Sequence, residues 1–308
     1  MANRATREAY GETLIELVEE GKNVIGVDAD LAGSTTLNKL EKAYPERFFD
    51  VGIAEQDMMG VAAGLSLTGR IAFTASFAVF GVGRCYDQIR NTVCDAGLNV
   101  KVCPTHAGVT VGEDGATHQM LEDIGMMRAL PGMRVLVPAD YRAAKAAIRL
   151  AAETDGPVYV RLGRHKVPEV YDETFVGGLP YAGVLRSGSD VTIAACGVEV
   201  AQALAAADLL AEKGISAEVI DVFSIKPLDE DVILGSVAKT GHLVTAEEHM
   251  VCGGMGSALA ELLAQKCPTP QAFVGMRTFG TSAPGDELIK HFGLDGESIA
   301  AATEQLLA

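Results

Sequence analysis

The segment Phe49-Asp50-Val51-Gly52-Ile53-Ala54-Glu55-Gln56-Asp57 joins two elements of different pattern. The residues Arg47 to Val51 before Glu55 have the character of a short strand, and Met58 to Leu67 after it predict a helix of small residues. In an open α/β sheet, ligands bind where strands end and helices begin. The carboxylate of Glu55 is therefore a candidate ligand-binding group. Taken alone, such a residue is more often an acidic side chain that favours the helix dipole.

The composition limits the classes of function. The chain has 308 residues, enough for two domains, and its 48% hydrophobic residues and 34 glycines are typical of a globular α/β protein. A net charge of −16 argues against nonspecific nucleic-acid binding, although local basic residues could still bind a sugar phosphate. No apolar run is long enough to span a membrane, and the first residues lack the apolar core of a signal peptide. The six cysteines form no C-x-x-C pair, so we expect reduced thiols in a cytoplasmic protein.

Strand-like runs alternate with helical runs of 10–15 residues along most of the chain, and helices are predicted at 35–44 and 81–95 among others. This pattern predicts an α/β fold with parallel, doubly wound sheets. A turn-rich segment at 167–185 separates a first domain at 1–166 from a second domain at 186–308. Gly60 and Gly64 lower the helix propensity of the segment after Glu55, so we expect close packing or close ligand approach there.

Two aromatic residues, Phe77 and Phe80, follow the predicted strand Ile71 to Ala75. Aromatic residues make up only 6% of the chain, and a Phe-x-x-Phe pair by itself indicates core packing. The pair nevertheless stands out, because aromatic residues are scarce and these two follow directly after a predicted strand.

A glycine-rich loop from His106 to Gln119 carries two histidines, His106 and His118, and the acid Asp114. Ordering a 14-residue loop of this kind is costly, which favours a functional role. Histidine is the natural proton carrier near neutral pH. The loop is therefore a candidate catalytic segment.

The sequence resembles the transketolase superfamily of thiamine-diphosphate enzymes. The segment Asp50 to Gln56 resembles the signature of the family's pyrimidine-binding domain, and Gly112 to Gln119 is similar to its Gly-Glu-Asp-Gly-Pro-Thr-His-Gln motif, with Ala116 in place of proline. The segment Glu247 to Gly256 resembles the signature of the family's C-terminal domain. The resemblance implies a thiamine-diphosphate pyrimidine-binding domain followed by a transketolase C-terminal domain.

The resemblance implies a cofactor site around Glu55. In the family, the glutamate bonds a ring nitrogen of the aminopyrimidine and favours the tautomer that deprotonates the thiazolium carbon. That chemistry needs a carboxyl group in a mostly apolar pocket, where its pKa rises. By the same resemblance Phe80 stacks on the ring, Phe77 lines the pocket and Asp30 contacts the cofactor. Gly83 stands where some transketolases have a third aromatic residue.

Substrate roles are also implied by the resemblance. Asp114 would contact a substrate hydroxyl, His118 the reacting oxygen, and His106 would share in proton handling and phosphate binding. The substrate phosphate would be bound by four side chains: Arg7, Ser34, His106 and Arg164. Arginine suits this task because its planar fork binds phosphate oxygens in pairs. Arg161 is close enough in sequence to take the role given to Arg164.

The family's Gly-Asp-Gly motif, which binds Mg²⁺ and the cofactor diphosphate, does not occur in this sequence. The resemblance therefore implies that a separate diphosphate-binding subunit supplies the metal ligands, in a two-chain transketolase with an α2β2 assembly. Its reaction would be the transfer of a two-carbon ketol unit from a ketose phosphate to an aldose phosphate. The alternatives are a 2-oxo acid dehydrogenase beta subunit, a deoxyxylulose-phosphate-synthase-like enzyme and a noncatalytic partner subunit.

Overall fold

The computed structural model describes residues 3–308, so the first two residues of the predicted first domain lie outside it. Within this range the chain forms two α/β units, each built on its own main sheet. The predicted fold class is confirmed. None of the helices in residues 3–308 has the length and apolar character that crossing a membrane requires.

The strands are, in chain order, β1 (Arg4–Ala5), β2 (Val24–Asp28), β3 (Phe48–Asp50), β4 (Ile71–Ala75), β5 (Val100–Val102), β6 (Arg134–Leu136), β7 (Val158–Val160), β8 (Lys166–Val167), β9 (Gly183–Arg186), β10 (Val191–Ala195), β11 (Ala217–Asp221), β12 (Ser224–Lys226), β13 (Leu243–Met250) and β14 (Gln271–Met276). The α-helices are α1 (Glu8–Glu19), α2 (Ala32–Thr35), α3 (Asn38–Ala43), α4 (Glu55–Ser66), α5 (Asp123–Arg128), α6 (Tyr141–Glu153), α7 (Glu199–Glu212), α8 (Glu230–Thr240), α9 (Met255–Lys266), α10 (Gly285–His291) and α11 (Gly296–Leu307).

The first main sheet has seven strands in the order β12-β6-β7-β5-β4-β2-β3, and all are parallel except the edge strand β12. Its inner strands are buried along nearly their whole length because helices cover both faces. The residues of β2 (Val24–Asp28), for example, are all buried. Because the strands are parallel, the loops after β2, β3, β4 and β5 meet at one edge of the sheet.

The second main sheet has five strands in the order β14-β13-β10-β11-β9, with β9 antiparallel at its edge. The two units are joined more closely than the predicted linker suggests. Strand β12 lies within the second domain in sequence but pairs with β6 in the first sheet. A short pairing of β1 with β8 also fastens the start of the first domain to its end.

Helical segments in two regions differ from the sequence-based prediction. The predicted helix at 35–44 is two short helices, interrupted at Thr36, whose φ of 72° is incompatible with a continuing helix. The predicted helix at 81–95 consists of two π-helical segments, Val79–Arg84 and Gln88–Asp95. Such segments are rare and occur frequently at functional sites.

Helix α4 packs on the first sheet through one face, where Met58 and Met59 are fully buried. Gly60 and Gly64 lie on the opposite face, and a Cβ atom at either position would meet no other atom within 4 Å. The expectation of close packing at these glycines is therefore not met within the residues that the structure describes.

Candidate active site

Glu55 is the first residue of α4 and lies at the shared edge of the first sheet. The preceding turn is tight, with the Ala54 amide donating to the Gly52 carbonyl at 2.7 Å and Gly52 at a φ of 71°. The turn directs Glu55 inward, so that only 6% of the residue is exposed. The positive end of the helix dipole favours a carboxylate at this position.

The carboxylate of Glu55 is paired with Arg84, which the sequence analysis did not identify. Arg84 Nη1 donates to Glu55 Oε1 at 2.8 Å. The Arg84 guanidinium also lies over the Phe80 ring, with 4.1 Å between its central carbon and the ring centroid. Glu55, Arg84 and Ile53 line an open depression of about 470 Å³. The sequence predicts mostly apolar surroundings for Glu55, but the structure places a half-exposed cation among them.

A row of rings continues from Phe80 across the sheet edge. Phe77 and Phe80 are nearly parallel, with ring centroids 6.0 Å apart, and His106 stacks on Phe77 at 3.7 Å. His118 lies edge-on to Phe80 at 5.3 Å. Two segments predicted separately from the sequence, the aromatic pair and the histidine loop, therefore form one surface.

His106 is buried and holds an electrically neutral ring. Its Nε2 atom lies 3.2 Å from Arg7 Nη1, and its Nδ1 atom lies 2.7 Å from the Thr105 hydroxyl. Because arginine can only donate, Nε2 accepts, and Nδ1 carries the hydrogen and donates to Thr105. Burial and the charge of Arg7 lower the pKa of His106 to about 3. A neutral ring with both nitrogens in hydrogen bonds does not favour the proton-handling role expected from the resemblance.

His118 is the more accessible histidine of the loop. The ring is partly exposed, and Nδ1 lies 2.9 Å from the Thr117 hydroxyl, which leaves Nε2 as the nitrogen not used in this contact. Asp114 is exposed at the outer turn of the same loop. The exposed position of Asp114 leaves its carboxylate accessible to solvent.

A cluster of positive charge lies beside His106. Arg7 Nη1 donates to the carbonyl of Ser34 at 2.7 Å, which brings these two predicted residues together. Burial and the neighbouring charge of Arg164 lower the pKa of Arg7. Two arginines that repel each other at the mouth of a site, in a chain of net charge −16, form an anion-attracting position.

Arg161 and Arg164 differ in burial and in their partners. Arg161 is 7% exposed, and its Nε and Nη2 atoms donate to the two carboxylate oxygens of Asp123 at 2.7 and 3.2 Å. It is thus occupied by an internal ion pair. Arg164 remains partly exposed, with Glu113 3.3 Å from its Nη1 atom. Of the two, Arg164 is the arginine that a ligand can reach.

Asp30 is exposed in the loop after β2, with a φ of 62°. Its amide donates to Asp50 Oδ1 at 3.2 Å, and the same oxygen accepts from the Gly52 amide at 2.8 Å. Asp50 therefore ties the Asp30 loop to the turn before Glu55. Buried Asp28 lies below them, and burial raises its pKa to about 7.

Comparison with known proteins gives matches along nearly the whole chain. The family model described as "Transketolase, pyrimidine binding domain" matches residues 2–169, and the one described as "Transketolase, C-terminal domain" matches residues 180–299. The chain belongs to the transketolase family.

The most similar family members include separate transketolase subunits. The chain is 42% identical to a 6-deoxy-6-sulfo-D-fructose transketolase subunit of a Clostridium species, over 97% of this chain and 94% of that one. It is 38% identical to an apulose-4-phosphate transketolase subunit of Phocaeicola vulgatus, over 97% of each chain. A solved structure described as "Split gene transketolase, inactive beta4 tetramer" superposes with a TM-score of 0.92 at 46% identity, covering 99% of both chains. The resemblance is confirmed: this is a split-transketolase-type subunit.

Within this transketolase fold, sequence reasoning missed Arg84 because its partner Glu55 is 29 residues away and adjacent only in three dimensions. A signal existed: Phe80 and Arg84 are four residues apart, a spacing at which helical side chains meet. Within residues 3–308 no group of three or more His, Cys, Asp or Glu side chains is arranged to bind a metal ion.

Proposed function

We propose that this chain is the catalytic subunit of a two-chain transketolase. It would transfer a two-carbon ketol unit from a ketose phosphate to an aldose phosphate, with thiamine diphosphate bound between this chain and a separate diphosphate-binding subunit. The observation that carries the proposal is the buried Glu55 carboxylate beside the Phe77–Phe80 ring pair, at the edge where the strands of the first sheet end.

The residues present fit an aminopyrimidine ring. A flat heteroaromatic group needs an aromatic face to stack on and a carboxylate within hydrogen-bonding reach of a ring nitrogen. Phe80 offers the first and Glu55 the second, and the Arg84 guanidinium, which is itself planar, already contacts both. When bound, thiamine diphosphate supplies the carbanion chemistry that a ketol transfer requires. Glu55 would hold the proton shared with the pyrimidine ring.

The loop residues would serve the substrate. His118 lies against Phe80, and its Nε2 atom is not used in the contact with Thr117, so it is our candidate for proton transfer to and from sugar oxygens. Asp114 would bind a sugar hydroxyl from the rim. His106, neutral and bonded at both nitrogens, would position Arg7 and contact the substrate without changing its charge.

The phosphate of the sugar would bind at Arg7 and Arg164, with Ser34 and His106 beside them. The positive charge of these two arginines supports a phosphate site, because neither of them is neutralised by a buried carboxylate. A 2-oxo acid dehydrogenase beta subunit has no need of such a position. The identities of the sugars differ among the relatives, whose names include a sulfofructose and an apulose phosphate, so the donor of this enzyme is a question for assay.

The diphosphate and Mg²⁺ would be bound by a partner subunit, in an α2β2 assembly. Two similar proteins are named as subunits, and the solved beta4 tetramer is described as inactive. Both facts support a requirement for a second chain. The same proposal places the enzyme in the cytoplasm, which six free cysteines favour.

The test is a ketol-transfer assay from xylulose 5-phosphate to ribose 5-phosphate with thiamine diphosphate and Mg²⁺. It compares this chain alone, a candidate partner carrying a Gly-Asp-Gly motif alone, and the mixture. Transfer that requires both chains is the expected result. Transfer by this chain alone would contradict the two-chain assignment, and a mixture that decarboxylates pyruvate but transfers no ketol would favour the 2-oxo acid dehydrogenase class.

A further inference from the structure

The second unit holds the loop that carries Asp114 and His118. Gln119 Nε2 donates to the Thr281 carbonyl at 2.9 Å, and the Ser282 hydroxyl donates to the Glu113 carbonyl at 2.6 Å. Thr281 and Ser282 both belong to the segment of the second unit that follows β14. A glycine-rich loop has little side-chain packing of its own, so such attachments decide its conformation.

A third attachment comes from a buried charge. Glu248, at the end of β13, is 2% exposed, and its Oε1 atom accepts from the Thr110 amide at 2.5 Å. Thr110 lies four residues before Asp114. The contact therefore joins a carboxylate of the second unit to the backbone of the loop, close to a predicted substrate-binding residue.

The shape of the loop is adapted to this carboxylate. Gly108 has a φ of 89°, and a Cβ atom there would lie 2.1 Å from the carboxyl carbon of Glu248. Any other residue would displace the carboxylate. The absence of a side chain at Gly108 therefore makes the room that the Glu248 carboxylate occupies.

Several charged groups face Glu248. Arg161 Nη1 lies 3.8 Å from Glu248 Oε2, and Arg161 Nη2 donates to the Glu248 backbone carbonyl at 2.9 Å. Glu199 at the start of α7 is buried nearby, and His165 contributes a favourable charge interaction. Burial raises the pKa of Glu248, and Arg161 opposes this. The Glu248 carboxylate can accept the hydrogen bond from the Thr110 amide because Arg161 offsets the cost of burying the negative charge of Glu248.

We propose that Glu248 is a positioning residue for the proposed ketol transfer: through the Thr110 amide it fixes the loop that presents Asp114 and His118 to the substrate. The inference rests on the proposed function for its catalytic consequence, but the contact itself can be tested without activity. It gives the second unit, which contributes none of the predicted catalytic residues, a defined part in the site.

The first test is amide hydrogen exchange on the full-length chain, comparing wild type, Glu248→Ala and Glu218→Ala. Glu218 is the matched control because it is also a glutamate of the second unit, 2% exposed, that pairs with a surface lysine, Lys239. We expect exchange at residues 108–118 to be at least about tenfold faster in Glu248→Ala and unchanged in Glu218→Ala. Equal protection of the loop in wild type and Glu248→Ala would overturn the inference.

The second test uses the two-chain mixture. Glu248→Ala is expected to lower kcat by about 10- to 100-fold while the Kd for thiamine diphosphate stays within about twofold, because Glu55 and Phe80 are not touched. Glu248→Gln keeps an oxygen that can accept from Thr110 and should restore most of kcat. Parallel losses of kcat, cofactor affinity and Tm would indicate a structural role only and overturn the inference.

The inference can still be tested if Glu248→Ala does not fold or if the wild-type mixture is inactive. If Glu248→Ala does not fold, Ser282→Ala removes the neighbouring attachment to Glu113, and faster exchange at residues 112–115 is then the expected result; unchanged exchange there would count against loop positioning by the second unit. If the wild-type mixture transfers no ketol, the proposed function fails, and the exchange experiment still decides whether Glu248 holds the loop.

Discussion

His106 combines a strained backbone with a suppressed charge. Its φ of 59° lies in the left-handed region, which costs roughly 1–2 kcal/mol for a residue other than glycine. Stacking on Phe77 and hydrogen bonds at both ring nitrogens hold it there. Such strain persists only where surrounding contacts fix it, and it is common in binding sites. These contacts would make His106 a rigid part of the proposed phosphate site.

The charge state of His106 gives a direct prediction. Its pKa of about 3 lies below the 6.5 of an unfolded histidine, so protonation favours the unfolded chain and this site destabilises the fold as the pH falls below 6.5. We expect the His106 ring proton signals in NMR spectra to stay constant between about pH 5 and pH 8. The spectrum of a His106→Asn variant assigns the signal. A titration with a midpoint near 6.5 would contradict the buried, neutral ring.

Arg84 contacts Glu55 and Phe80, the same two residues that we propose as contacts of the cofactor ring. We therefore expect Arg84→Ala to lower the Kd of the two-chain mixture for thiamine diphosphate several-fold, because a competing planar cation is removed. The ion pair itself should change the free energy of unfolding by less than about 1 kcal/mol, since Arg84 is half exposed.

The matched control for this experiment is Arg90→Ala. Arg90 is an exposed arginine of the next π-helical segment, and its guanidinium bonds the neighbouring Asn91. Isothermal titration measures the Kd of both variants, each mixed with the partner chain, for thiamine diphosphate. Weaker cofactor binding by Arg84→Ala would show that the arginine belongs to the bound state and does not compete with it.

At the scale of the element, the loop from Gly108 to Gln119 depends on glycine for two separate reasons. Gly108 and Gly112 both have a φ of 89°, a conformation that other residues adopt only with strain. At Gly112 a Cβ atom would find its nearest neighbour, the Ala283 carbonyl oxygen, at 3.4 Å. At Gly108 it would collide with the Glu248 carboxylate.

This difference predicts unequal effects of the same substitution. Gly112→Ala should cost about 1–3 kcal/mol of unfolding free energy, from backbone strain alone. Gly108→Ala should cost clearly more, because the buried carboxylate must also leave the Thr110 amide and Arg161. Urea unfolding of the two variants measures the difference. Equal costs would mean that the carboxylate moves aside freely.

Many of the secondary-structure elements and parts of the site could be predicted because their sequence signals lie within a few neighbouring residues. The buried strand β2, the strand–helix junction at Glu55 and the ring pair Phe77 and Phe80 each have a signal within a few residues. Strand β12 could not be placed, since its three residues pair with a strand nearly 90 residues away. The same holds for Glu248, whose bond to Thr110 spans 138 residues. Contacts of this kind depend on the packing of whole units.

At the scale of the molecule, the outer face of α4 is unusually open. Gly60 and Gly64 lie on it with free space around them, and Ile53, just before the helix, is 77% exposed. Glu55 begins this same helix. A partner chain that completes the proposed cofactor site would approach this face, and the glycines would let its backbone come close.

Bulky side chains on this face should therefore block assembly without harming the fold. We expect the double variant Gly60→Gln and Gly64→Gln to be at least as stable as wild type, because glycine costs about 1 kcal/mol within a helix, but to fail to associate with the partner. Gly235→Gln is the control, since Gly235 of α8 also faces open space. Sedimentation of the mixtures compares them; normal association of the double variant would exclude this face.

We propose that Glu55 of this chain activates a cofactor shared with a second chain. The most direct measurement is ketol transfer from xylulose 5-phosphate by the two-chain mixture with Glu55→Gln, which keeps the size of the side chain and removes its ability to share a proton. We predict that thiamine diphosphate still binds while kcat falls by about 10²- to 10⁴-fold. Transfer by Glu55→Gln at the wild-type rate would show that Glu55 does not activate the cofactor.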